Sequence, residues 1–295
     1  MSIYLSNITQ PKQDLVKQQQ TVVGREGQLR LRFASHNNKT AMTESYFRTP
    51  LQVMQAIPDG AGCLGTYLLS PTGGVVQHDR YDIQITLEAN THALVTTVAT
   101  TKVYRMPQGK AIQNITIDVG ENAILEFVPD ALILFKDADF EQRVTVKLQK
   151  GALCLFQDSV MGGRVAHHDE FLQFRQLRNR IEIKDVDGLI VYDAMNFSPN
   201  SHDHNRLGLL DGYTCWGSAY VVGDLSRFHC DNATFCNAVN DNSVDDTLSS
   251  ISELHRSGFA YRILANRLET LEQSYEKLRS NFRHALNIPY SSLRK

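Results

Sequence analysis

The chain has 295 residues, 42% hydrophobic and 21% charged, enough material for one large domain or two ordinary ones. Its net charge of -2 gives no general drive toward nucleic acid or an anionic membrane. No apolar run approaches the ~20 residues of a spanning helix, MSIYLSNITQ lacks the basic start and apolar core of a secretory signal, and five scattered cysteines fit free thiols in a reducing cytosol.

Residues 1–26 are polar, with Gln18, Gln19 and Gln20 in a row, and read as a loose leader. Leu29, Leu31 and Phe33 alternate with Arg30 and Arg32, a period of two that predicts a strand with one dry face. Pro71, Gly73 and Gly74 have turn composition, after which Tyr81, Ile83, Ile85 and Leu87 alternate with Asp82, Gln84, Thr86 and Glu88. Leu94–Tyr104 is dense in Thr and Val, so the pair reads as a β-hairpin with Asp79 just after its first turn. Thr96, Thr97, Thr100 and Thr101 are too many hydroxyls for a dry strand, which predicts that one face lines a polar, hydrated interior.

Further strands are predicted at 115–119, 123–127, 144–148, 153–156, 171–174, 181–184 and 189–192. After the loop-like SPNSHDHNRLGLLDG, others follow at 213–216, 219–222 and 259–264, with a polar connector over 232–246. Ser243 with Asp246 resembles a capping box, and Val244, Leu248, Ile251 and His255 suit a short helix closed by Gly258. Leu264, Leu268, Leu271, Tyr275, Leu278, Phe282 and Ala285 predict a second helix, capped by Asn266 with Glu269 and ended by Pro289; Arg267, Glu272, Glu276, Lys277 and Arg279 are assigned to its opposite face. Close, regular strands without helical patterns between them argue for an all-β body. No boundary splits the chain, and the reading is one domain over 27–295 with a helical part over about 243–288. No repeat of fixed length is visible.

No catalytic motif stands out. The paired glycines Gly73 and Gly74 lack the Lys-Ser/Thr and the helix of a phosphate loop, and neither Gly-x-Ser-x-Gly nor His-Glu-x-x-His occurs. His167-His168-Asp169-Glu170 is rich in metal-ligand types, but in extended chain His168 and Glu170 share one face and His167 and Asp169 the other. His202-Asp203-His204 is a chelate or a solvated loop. His229, Cys230, Cys236 and Cys215 lack structural-zinc spacing and read as free thiols. The leucine stripe of the last helix, Leu268, Leu271, Tyr275, Leu278 and Phe282, is either packed on its own core or a partner-binding face.

Several stretches together resemble the urease accessory protein UreD (UreH) family. Gly73, Gly74, Asp79, Thr96, Thr97, Ala99, Thr100, Lys102, Tyr104 and Arg105 match its Gly-Gly, acid and Thr-Thr-x-Ala-Thr-x-Lys-x-Tyr-Arg pattern. Glu126 and Pro129 match its Glu-x-x-Pro, and Gly163 with Arg164 and Asp169 its Gly-Arg-x-Ala-x-Gly-Glu, with His168 in place of a glycine. His78 likewise replaces a glycine. Arg262, Leu264, Arg283, Leu286 and Arg294 match its ending, so the resemblance spans roughly Gly27 to Arg294.

The resemblance implies an all-β, β-helix-like stack of sheets with one or two C-terminal helices, and a cytoplasmic metallochaperone scaffold rather than an enzyme. It implies binding of apo-urease together with UreF and the GTPase UreG in a dimeric accessory complex, with nickel in transit and no tightly bound cofactor. On that reading Asp79 and Asp169 are transit points, assisted by His78, His168 or Glu170. The alternatives are turn-capping acids, a β-helical carbohydrate-active lyase or hydrolase using Asp79, Asp169 and Lys102, or a stand-alone metal-binding protein.

Overall fold

A computed structural model describes residues 25–167, 170–201, 209–241 and 243–292. Glu26–His36 (β1) and Lys39–Arg48 (β2) form an antiparallel hairpin, and Gln52–Val53 (β3), Ile57–Pro58 (β4) and Leu64–Leu69 (β5) lead into a second sheet. From there the chain winds as a coil. Gly74–Val75 (β6) precedes Arg80–Leu87 (β7) in the first sheet, and His92–Thr97 (β8) and Thr101–Val103 (β9) lie in the second. Ala111–Val119 (β10) returns to the first sheet, and Ile124–Val128 (β11) and Leu132–Leu134 (β12) to the second. The next turn repeats this with Asp139–Leu148 (β13), then Leu153–Met161 (β14), while Gly163–Arg164 (β15) and Glu170–Phe171 (β16) make a small ribbon. Gln176–Asp185 (β17) and Gly188–Phe197 (β18) complete the first sheet.

The predicted hairpin at Asp79 is therefore a coil turn. β7 pairs in parallel with β1 and β10, while β8 joins the other sheet beside β5 and β11. Alternation looks the same in both arrangements, because it reports a half-buried strand and not its partner. The Thr-rich stretch is also two strands, β8 and β9, with a break at 98–100.

Equivalent residues of successive coils stack in register. Leu29, Ile83, Ile115, Val144 and Ile181 form one inward column across the first sheet, and Leu31, Ile85, Ile117, Val146 and Ile183 another. From the second sheet, Val95, Phe127, Phe156 and Tyr220 face them, Phe127 and Phe156 stacking at 5.4 Å. This inter-sheet layer is the main core.

A second core covers the other face of the second sheet. Cys215–Gly223 (β19), Thr247–Glu253 (β20) and Gly258–Ala265 (β21) extend that sheet antiparallel, and Asn232–Asp241 (α1) and Leu268–Ala285 (α2) lie over it. Three expectations change here. The connector at 232–246 contains α1, with Phe235 and Val239 buried and Asp231 accepting from the Thr234 N–H at 2.7 Å. The expected helix at 243–258 is β20, because its residues pair with β21 along a sheet edge and that ladder overrides a weak 4–3 spacing. The cap expected from Asn266 with Glu269 is absent too: Arg267 is the N-cap of α2 and makes no side-chain cap bond. Residue 26 opens β1, and the rest of the expected leader that precedes residue 25 lies outside the described residues.

Candidate functional site

Two polar constellations interrupt these cores, one on each face of the second sheet.

The first lies between that sheet and α2. In Ile-Leu-Glu-Phe-Val of β11, alternation points Glu126 toward the helix between Ile124 and Val128, in otherwise dry surroundings. Its carboxylate is fully buried and accepts from Arg283 Nε at 2.8 Å; His92 Nε2 lies 2.8 Å away. Arg283 Nη1 also donates to Asp59 at 2.7 Å, and Arg279 Nη1 sits 3.6 Å from Glu126 as an ion pair without a hydrogen bond. Burial alone pushes the Glu126 carboxyl up, but the His92 and Arg283 contacts outweigh it and hold the group down at about 2.

Cys63, His92 and Glu126 present ligand atoms within 4.8 Å of one another, the spacing of a metal site. The charges argue otherwise. Two guanidinium groups already neutralise Glu126, and burial, helped by the Glu126 charge, pushes the Cys63 thiol far up and away from the thiolate a metal needs. We read this cluster as the latch that fixes α2 to the sheet. Arg279 is 2% exposed, so it belongs to the buried side of α2 and not to the solvent face assigned from sequence.

The leucine stripe takes the same side. Leu271, Tyr275, Leu278 and Phe282 are buried in the core under α2, and Leu268 packs against it, so the docked helix offers no such stripe to a partner. Tyr275 reaches through to donate to the Asp158 carbonyl at 2.8 Å. It fits because residue 217 is glycine: a Cβ there would lie 2.1 Å from the Tyr275 hydroxyl.

The second constellation lies between the two sheets, at one end of the apolar columns. Tyr81, Gln113, Gln142 and Asn179 stack in register, two residues before Ile83, Ile115, Val144 and Ile181, and so face inward. Asp158 of β14 meets them from the other sheet. Gln142 Nε2 donates to Asp158 Oδ1 at 2.9 Å, Asn179 Nδ2 to Oδ2 at 2.6 Å, and Gln113 Nε2 to Gln142 Oε1 at 2.9 Å. Burial pushes the Asp158 carboxyl up to about 6; the two amide bonds pull it down and nearby Asp193 adds to the rise.

A cavity of about 310 Å³ opens onto this group. Its walls are largely apolar (Ile83, Ile115, Val144, Phe127, Phe156), broken by Gln113, Gln142, Asp130, Asp158 and the Thr-rich stretch. Thr97, Thr100 and Thr101 line it, and Thr97 Oγ1 donates to Asp130 at 2.8 Å. The Thr-rich segment thus borders an internal cavity, but the wall is mixed rather than polar throughout. Asp130 and Pro129 also border a surface groove of about 270 Å³ beside Glu269, Glu272 and Glu276 of α2. Asp158 and Asn179 border a small pocket of about 10 Å³ with Asp193 and Ser218 on the far side.

The residues singled out from sequence fall elsewhere. Asp79 is 2% exposed and accepts from the Arg25 N–H (2.9 Å), the Val76 N–H (2.9 Å) and the Tyr81 hydroxyl (2.6 Å). That is the bonding of a capping acid, and Asp79 does not border the cavity. His78 adopts φ 68, the left-handed conformation that glycine takes most easily, at the position where the family pattern has one. Glu170 pairs with Arg164 and accepts from the Lys136 N–H, and no ion pair or hydrogen bond joins it to Asp79 among the described residues. His168, Asp169, His202 and His204 lie outside the described residues.

The remaining motif residues form a column on the outside corner of the coil. Gly74 lets β6 approach β9, since a Cβ there would lie 2.2 Å from the Lys102 carbonyl oxygen. Tyr104 packs edge-on to Phe135 at 5.1 Å, Arg164 lies over the other side of the stack at 4.2 Å from the Phe135 ring, and Arg105 pairs with Asp137. Lys102 borders the cavity mouth. Gln113, Gln142, Asn179, Asp158, Asp130, His92 and Asp59 were missed in the sequence. The available signal was a polar residue at an inward position, repeated at the start of successive strands.

Residues 25–294 match the model of the family described as UreD urease accessory protein. Proteins named urease accessory protein UreD from Staphylococcus aureus strains RF122 / ET3-1, JH9 and Newman are each 28% identical over 249 residues, covering 84% of this chain and 89% of theirs. No helix among the described residues is long and apolar enough to cross a membrane. With the match running from the first strand of the coil to beyond the helix that covers it, the chain belongs to the UreD urease accessory protein family and has a role in urease maturation.

Proposed function

We propose that this chain is a non-catalytic metallochaperone scaffold that binds apo-urease in the cytoplasm and, with UreF and the GTPase UreG in a dimeric accessory complex, passes nickel toward the urease active site. The observation that carries this reading is the inter-sheet cavity, which both Asp130 and Asp158 line. Asp130 borders both the surface groove and the cavity, and Asp158 both the cavity and the pocket beyond. Carboxylates and carboxamides hold a divalent ion briefly, whereas a cage of imidazoles and thiolates retains it. Asp130 and Asp158 are the transit points supported best, because Asp79 has its oxygens occupied by structural donors. Nickel is cargo in this scheme, and no resident cofactor is required.

The test is a plug. Ala99 borders the cavity at its exposed edge, so Ala99→Trp should obstruct it without touching either core. In cells producing urease at limiting nickel, the variant should still co-purify with urease and its accessory partners while urease nickel content and activity drop at least several-fold. Full activation by a variant shown to fill the cavity would overturn the reading.

A further inference from the structure

Asp158 is a buried carboxylate with no cationic partner among the described residues. Glu126, Asp139, Glu141 and Glu170 each pair with an Arg or Lys, and Asp79, likewise without an ion pair among those residues, accepts from two backbone N–H groups and the Tyr81 hydroxyl; Asp158 has only the side-chain amides of Gln142 and Asn179, groups that can turn over. A buried charge without a counter-charge is costly, and here, among the described residues, the carboxylate holds no backbone N–H group in return. Asp158 also borders two spaces: it lines the cavity of about 310 Å³ and, with Asn179, a pocket of about 10 Å³ that is just large enough for a water-sized guest.

The partners are suited to two states. A carboxamide has its oxygen and nitrogen in nearly interchangeable positions, and half a turn of its last torsion exchanges them within the same volume. With the nitrogens inward, as here, the amides satisfy the empty carboxylate. With the oxygens inward, Gln142 Oε1 and Asn179 Oδ1 would face the two Asp158 oxygens, an arrangement that is repulsive unless a cation lies between them. Four oxygens in that space make a hard, weak-to-moderate site for a small divalent ion. The turn of Gln142 carries outward as well. Gln113 Nε2 now donates to Gln142 Oε1, so when Gln142 turns, Gln113 must turn to keep the bond.

We propose that Asp158, Gln142 and Asn179 form an oxygen-only way station for a divalent cation, in which the two carboxamides donate to the carboxylate when it is empty and turn over to coordinate when it is loaded. This rests on the reading of the chain as a nickel carrier and deepens it by naming a ligand set where the cavity and the small pocket share Asp158. Its test does not depend on urease.

The full chain, with side-chain amides labelled, would be titrated with Ni²⁺ for stoichiometry and with Mn²⁺ for proximity. One saturable Ni²⁺ site is expected, with Mn²⁺ broadening the NH₂ signals of Gln142, Asn179 and Gln113 ahead of other amides. Asp158→Asn, close to isosteric, should abolish that site. Gln142→Glu should bind about tenfold more tightly, since it supplies a charged oxygen without needing to turn, and it keeps the proposal testable if removal variants fold poorly. Absence of Ni²⁺ binding, or binding undiminished in folded Asp158→Asn with these amide signals unmoved, would overturn the way station. If the site binds as described but Gln142→Leu still activates urease fully at limiting nickel, the station stands and the delivery role fails, so the two failures are distinguishable.

Discussion

Glu126 is a fully buried carboxylate whose charge is set by its neighbours. Burial pushes its carboxyl up, but His92 and Arg283 outweigh that and hold it at about 2, against an ordinary 4.5. A folded-state pKa below the unfolded one means the stabilisation is present in full above the ordinary value and is lost as pH falls toward 2. The difference corresponds to roughly 3 kcal/mol. Glu126→Gln should therefore be much less stable than wild type near neutrality, by about 3–5 kcal/mol, because it strands two buried guanidinium groups. Denaturant titrations at stepped pH should show that gap closing between about pH 4.5 and 2; a gap independent of pH would show that the charge is not what holds α2. Asp79 acts through backbone instead. Asp79→Ala leaves the Arg25 and Val76 N–H groups and the Tyr81 hydroxyl without their acceptor, a loss of about 1–3 kcal/mol or more in thermal or chemical unfolding. An unchanged midpoint would remove the structural account of this acid.

At the scale of elements, what could be read from the sequence divides by what alternation reports. Strands with one dry face, β1, β7, β10, β13 and β17, were visible because inward Leu, Ile and Val recur every second residue. Their partners were not visible, because a coil turn and a hairpin carry the same pattern. α2 was visible through its leucines, yet charge put Arg279 on the solvent face: it stands four residues after Tyr275, and Arg283 four after it, so both are on the apolar side by spacing. β20 was misread because its edge position leaves only Ile251 buried, too little to show a period. The latch between sheet and helix could not be inferred at all, as it joins Asp59, Cys63, His92 and Glu126 to residues more than 150 positions away. One docking point is testable alone. Gly217→Ala should push the Tyr275 hydroxyl off the Asp158 carbonyl and cost about 1–3 kcal/mol. Adding Tyr275→Phe, which removes the clashing oxygen, should recover part of that loss in a double-mutant cycle. Simple additivity of the two changes would argue against the contact.

The whole molecule is a short coil whose turns are unequal, which is why no repeat of fixed length shows: Ile83, Ile115, Val144 and Ile181 occupy one column at uneven intervals along the chain. In long repeat arrays each turn touches only its neighbours, and unfolding can start at an end. This coil differs because α2 spans several turns at once. It contacts β14, β19 and β21, while Arg283 reaches β11 and the loop holding Asp59. The inward columns meet the amide chain around Asp158 on β14 and the helix latch on β11, so turns cannot come apart singly without breaking both cores. The expectation is one cooperative transition. Ile115→Ala, in the middle of the first column, should lower global stability by about 2–5 kcal/mol while every probe melts together, including near-ultraviolet signals from Trp216 and fluorescence of a label on α2. Leu189→Ala, on the exposed end strand β18, should stay within about 0.5 kcal/mol. Hydrogen exchange would then show amides of β10, β11, β13 and β14 opening only through global unfolding, and those of β2 and β18 opening locally at lower cost. Separate transitions for the coil and the helical layer would mean that α2 is a detachable cover, and that the leucine stripe beneath it is available to a partner after all.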